Sequence, residues 1–149
     1  MEERIKKMDD SFVAFIKHYG ATDTDSLLKK IVPINNANLE QELDTAAQVG
    51  AQLDVLAARM RGLTDYFRYK ESVRENALTI EMYHEDMNAP KKRTQKVMEA
   101  FIEADPEMVK IRRCLLSAKE RLYLLEALSK AWSQRACFLR DNCQIKRMQ

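Results

Sequence analysis

Glycine and proline are scarce in this chain, with three of each in 149 residues, and no alternating run of β-branched residues appears. Those absences argue against a β-rich fold and predict an all-α protein. No apolar run approaches the roughly 18 residues that a membrane-spanning helix needs, so no membrane partner is expected. The opening MEERIKKMDD is charged and lacks the apolar stretch of a signal peptide. Cys114, Cys137 and Cys143 form an odd set without a CxxC pair or a neighbouring histidine, which fits free thiols in a reducing cytosol. The two histidines, His18 and His84, have no serine or cysteine placed as a nucleophile. In Tyr83-His84-Glu85-Asp86 the imidazole and carboxylate are adjacent in sequence, so on a helix they point about 100° apart, as expected of a solvated face. Phosphate-binding and dinucleotide fingerprints are missing too. No catalytic residue, metal ligand or cofactor is assigned, and an enzyme is not expected.

What is present is charge, and it is unevenly spread. The overall +2 divides into −5 over residues 1–90, with 11 Lys/Arg against 16 Asp/Glu, and +7 over residues 91–149, with 14 against 7. A chain polarised in this way can offer its basic part to nucleic acid or stack head to tail with itself.

The length fits one helical domain, 1–149, made of an N-terminal segment (1–33) and a long-helix core (38–149). Residues 3–19 carry Ile5, Met8, Phe12, Phe15, Ile16 and Tyr19 at helical spacing and stop at Gly20. Ser26–Val32 fit another turn or two, and Pro33-Ile34-Asn35-Asn36 is a turn cluster. Asn38 caps a second long helix whose apolar stripe (Leu39, Leu43, Ala46, Val49, Leu53, Leu56, Met60, Leu63, Phe67) carries it to about Lys70. Residues 71–90 fit either more helix or a loop, but Met87-Asn88-Ala89-Pro90 must break any helix there. A short amphipathic helix with Val97, Met98, Phe101 and Ile102 follows.

The last third begins at Asp105-Pro106-Glu107, a cap, a first-turn proline and an acid at the positive end of the helix dipole. From there Met108, Ile111, Leu115, Ala118, Leu122, Leu125, Ser129, Trp132, Ala136, Leu139 and Cys143 keep a seven-residue repeat. Such a helix is about 65 Å long, against a radius of gyration of about 15 Å for a globule of this size. The expectation is an elongated helical bundle that self-associates, with Ile111, Leu115, Leu122, Leu125, Trp132 and Leu139 as its oligomerisation seam. Cys114, Leu124, Leu128, Ala131, Phe138 and Ile145 widen the apolar face beyond a two-stranded seam, which favours a bundle or ring-like homo-oligomer.

Arg59-Met60-Arg61-Gly62-Leu63-Thr64-Asp65-Tyr66-Phe67-Arg68-Tyr69-Lys70 combines four cations with three rings. A single-strand binding surface needs that mixture, because cations track phosphates while aromatic faces stack on bases. Arg59, Arg61, Tyr66, Arg68 and Lys70 are therefore candidate nucleic-acid contacts, and Phe67 is expected in the core. Lys91-Lys92-Arg93 and Lys96 form a second cluster of candidate nucleic-acid contacts, where cations that oppose a helix dipole point to an anion nearby.

On these residues the chain resembles the UvsY-like recombination mediators of bacteriophages. Leu56-Ala57-Ala58-Arg59-Met60-Arg61-Gly62-Leu63-Thr64-Asp65-Tyr66-Phe67 looks like that family's Leu-Lys-Ala-Arg-Leu-Asp-Tyr-Tyr stretch. The run from Lys92-Arg93-Thr94 through Ile102-Glu103-Ala104-Asp105-Pro106 into a long basic-ended helix looks like its C-terminal part, so the resemblance spans roughly residues 50–149. It implies a non-enzymatic protein of the bacterial host's cytoplasm that forms rings and binds single-stranded DNA. Such a protein loosens single-strand binding protein and helps load a strand-exchange recombinase. The alternative that uses the same long helices is a helical oligomeric adaptor that binds a protein partner without nucleic acid.

Overall fold

In the computed structural model the described residues are 2–18, 21, 23, 26, 27, 29 and 38–149. Their order is α1 (Glu2–His18), α2 (Leu39–Met87), α3 (Gln95–Ala104) and α4 (Pro106–Met148), with no strand among them. The chain is all-α, and its two long helices, 49 and 43 residues, pack together. Tyr19, Gly20, most of the expected turn at 26–32 and the Pro33–Asn36 cluster lie outside the described residues. No described helix is long and apolar enough to cross a membrane.

Each boundary has a local cause. α2 begins one residue after Asn38 and runs on to Met87, seventeen residues beyond Lys70, stopping just ahead of Pro90. Pro106 is the first residue of α4, and the carboxylate of Asp105 accepts the amide of Met108 at 2.9 Å, closing the N-terminal turn. The same carboxylate holds Arg74 through two bonds, to Nη2 at 2.8 Å and Nε at 3.0 Å. Those bonds, the guanidinium's ahead of the amide's, hold the Asp105 carboxyl below the usual carboxylate range.

Contacts divide the chain into two units, residues 1–60 with 121–149, and residues 61–120. In the first unit, Phe15 and Ile16 of α1 are buried together with Ala46, Val49, Leu53, Leu56 and Met60 of α2 and Leu122, Leu125, Leu128, Trp132, Leu139 and Cys143 of α4. Trp132 lies 3.5 Å from where a Cβ on Gly50 would be, donates its indole N–H to the carbonyl of Ala46 at 2.8 Å, and stacks under Arg135. Arg135 in turn pairs with Glu42. Ser129, the one hydroxyl in the seven-residue repeat, donates to Asp54 at 2.9 Å.

In the second unit, Leu63, Thr64 and Phe67 are buried, as are Ile111, Leu115 and Ala118, and Met82, Ile102 and Met108 form a cluster with Leu78 and Met98. Between Phe67 and Met82 the inward positions of α2 include Glu71 and Arg74. Glu71 accepts from Arg112 at 2.8 Å, and Arg74 reaches Asp105 and Glu107. Polar heads therefore continue the stripe where apolar residues thin out.

Gly62 sits inside α2, and a Cβ added there would meet nothing within 4 Å. Gly62→Ala adds no contact and narrows the unfolded chain, so it should stabilise the protein by about 1 kcal/mol. Thermal unfolding should rise by about 3 °C; a fall would mean that the backbone at 62 is not helical in solution.

Candidate nucleic-acid interface

Along the second unit's part of α2, helical geometry sorts the cationic and aromatic residues by face. Core position Phe67 is fully buried. Tyr69, two residues on, points about 200° away from it and is 66 % exposed, the crest of the helix surface. Arg68 and Lys70 stand about 100° to either side of that crest, and both are exposed. Arg61, exposed and seven residues before Arg68, lies on the same flank. Tyr66 is half-buried, edge-on to Phe67 at 5.6 Å, with the Lys70 ammonium 5.8 Å from its ring centre. Arg68 pairs with Asp65 at 3.5 Å, and both partners are well over half exposed; such a pair is weak and easily exchanged for a phosphate. Arg59 belongs to the first unit, where it is exposed and lines a groove of about 480 Å³ with Phe15, His18 and Val55.

Lys91, Lys92 and Lys96 are exposed, before and at the start of α3. Arg93 is not a companion to them. Its guanidinium bonds Glu85 at 2.6 Å and Asp86 at 3.2 Å and lies 5.3 Å over the ring of Phe101, while its backbone amide donates to Asp86 at 2.9 Å. Asp86 is 5 % exposed. A carboxylate buried that far needs a cation and hydrogen bonds, so Arg93 fastens the turn after α2 instead of reaching outward for phosphate. Sequence alone could not separate Arg93 from its neighbours, because its partners lie seven and eight residues back. Arg93→Ala should therefore lower stability by roughly 2 kcal/mol by stranding Asp86, whereas Lys92→Ala should leave it within about 0.5 kcal/mol. Urea titrations of the two variants side by side check this, and equal midpoints would contradict it.

All six residues expected to form the oligomerisation seam are inside the chain's own core: Ile111 and Leu115 in the second unit, and Leu122, Leu125, Trp132 and Leu139 in the first, none more than 9 % exposed. Residues with so little surface have nothing to offer a second copy. The heptad is real, but the chain's own helices cover it. Of the residues that widened the face, Leu128 is buried, whereas Phe138 and Ile145 are 63 % and 55 % exposed. Tyr69, missing from the candidate contacts drawn from sequence, does carry a sequence signal: it falls off the Met60–Leu63–Phe67 stripe.

A groove of about 990 Å³ lies between the last third of α2 and α3 in the second unit. Ile80, Met87, Met98 and Ile102 supply its apolar surface, and Glu75, Glu99, His84 and Lys92 are among its polar lining. No group of three or more metal-ligating side chains occurs among the described residues. The fold and surface together define an all-helical protein with an exposed cationic–aromatic crest on one long helix. Compared with protein-family models, curated proteins and solved structures, the chain finds no match.

Proposed function

We propose that this chain is a non-enzymatic, homo-oligomeric single-stranded DNA-binding protein. In this reading it acts as a recombination mediator that helps load a strand-exchange recombinase and displaces single-strand binding protein. One observation carries the DNA-binding part: Tyr69, two-thirds exposed, stands between exposed Arg68 and Lys70 on a helix whose core needs are met by Phe67. An aromatic ring left in water between two cations costs solvation and suits base stacking beside phosphate contacts. Arg61 on the same flank as Arg68, and the exposed Lys91, Lys92 and Lys96 elsewhere in the same unit, add cations for phosphate contacts. Each patch is small, so affinity depends on repetition, and linking copies raises the effective concentration of the next patch. A strand held at many such points bends away from the extended path another binding protein needs. The mediator role itself rests on the resemblance of residues 50–149 to the phage family.

Anisotropy of a labelled single-stranded oligonucleotide, titrated at several salt concentrations, tests this. Binding should weaken with log salt at about 0.7 per phosphate contacted. Absence of binding at low salt would leave the second reading, a helical adaptor for a protein partner. That reading is favoured by the apolar surface of α4, where Tyr123 and Phe138 are each more than 60 % exposed.

A further inference from the structure

The heptad seam of α4 is used up inside the chain, yet both units leave apolar surface uncovered. In the second unit it is the groove between α2 and α3, where Ile80, Tyr83 and Met87 are 56 %, 60 % and 77 % exposed. In the first unit it is the end of α4, where Phe138, Ile145 and Met148 are 63 %, 55 % and 89 % exposed. Steps of seven and three put those three side chains on one face of the helix. Soluble monomers rarely keep contiguous apolar patches of this kind without a partner.

We propose that the groove between α2 and α3 receives the last turns of α4 from a second copy of the chain, a head-to-tail contact. This rests on the self-association in the functional reading above and names the surfaces that perform it; it is independent of DNA binding. The dimensions agree. The stretch of α2 lining the groove, Glu75 to Met87, rises about 18 Å, and the stripe from Phe138 to Met148 rises about 15 Å.

The charges agree as well, and they choose a direction. Glu75 and Glu99 on the groove suit Lys146 and Arg147, which flank Ile145 and Met148, while Lys92 suits Asp141, one turn earlier. Glu75 opens the stretch of α2 that lines the groove, and Lys92 follows the end of that helix. An incoming helix that brings Lys146 and Arg147 to Glu75 and Asp141 to Lys92 therefore runs antiparallel to α2, which also opposes the two helix dipoles. Arg93 and Asp86 at the groove already neutralise each other and take no part. Groove and stripe are different surfaces, so each copy offers one of each. Such a contact repeats from copy to copy, and it closes into a ring when the rotation allows.

The test is solution mass of the full-length protein by sedimentation velocity and mass photometry. Wild type should be oligomeric at micromolar concentration. Ile80→Asp with Met87→Asp spoils the groove, and Phe138→Asp with Ile145→Asp spoils the stripe. Each pair should weaken self-association by more than about tenfold while circular dichroism keeps its helical signal.

Mixed one to one, the two variants should form a dimer and nothing larger, because only one intact groove meets one intact stripe. Should a variant lose helicity, charge reversal decides instead. Glu75→Lys with Glu99→Lys should dissociate the assembly, and adding Lys146→Glu with Arg147→Glu should restore it. A wild type that stays monomeric would end both the self-association reading and this interface. An oligomeric wild type whose groove and stripe variants stay fully assembled, or whose charge reversals are without effect, would overturn the interface alone.

Discussion

Replacing Trp132 by alanine should cost about 4 kcal/mol and lower the thermal midpoint by on the order of 10 °C. Three losses combine at this position. The indole is the largest side chain in the first unit's core, at 7 % exposure, and its removal leaves a cavity beside Gly50, whose missing Cβ is what lets the ring lie so close. Its N–H donates to the carbonyl of Ala46, a bond that ties α4 to α2 across 86 residues. Its face carries the guanidinium of Arg135, which in turn pairs with Glu42. Trp132→Phe separates these effects, because the smaller ring keeps most of the packing and loses the hydrogen bond. That change should cost only about 1–2 kcal/mol. Melting curves followed by circular dichroism give both numbers. An alanine variant within about 1 kcal/mol of wild type would remove Trp132 from the core.

The second large effect concerns the crest of α2. Tyr69→Ala should weaken binding of single-stranded DNA about tenfold, in keeping with roughly 1–3 kcal/mol per stacked base, and should leave the salt slope unchanged. Arg68→Ala with Lys70→Ala should do the complementary thing and flatten the slope by about 1.4, two phosphates' worth. All three together should lose about a hundredfold or more. None of the three side chains is in the core, so stability should stay within about 0.5 kcal/mol. A tyrosine variant that binds like wild type, beside cation variants that do not, would reduce the interface to unspecific charge attraction.

Much of the fold was legible because helical periodicity reports an apolar face directly. The stripe Leu39 to Phe67 and the heptad from Met108 to Cys143 name positions that are buried or half-buried, and Asp105-Pro106 marks the start of α4 to the residue. Residues 71–87 were illegible for a specific reason. The inward positions there include Glu71, Arg74 and Asp86, and a polar residue at a core position reads as a break in the pattern. Their partners, Arg112, Asp105 and Arg93, lie 41, 31 and 7 residues away. No local window contains the longer two pairs.

The candidate interface divides the same way. That Arg68, Tyr69 and Lys70 lie off the apolar stripe follows from counting residues along a helix. That Arg93 is spoken for by a buried carboxylate follows only from how the chain turns after Met87. The heptad of α4 makes the same point most plainly. Its sequence determines which face is apolar, since a 3.6-residue period leaves no other arrangement for side chains at those steps. It does not determine what covers that face, because α2 of the same chain and a helix of another copy bury the same methyl groups equally well. Only the tertiary structure decided that α2 covers it, and in doing so it left the end of α4 and the groove beside α3 as apolar surface still open to a partner.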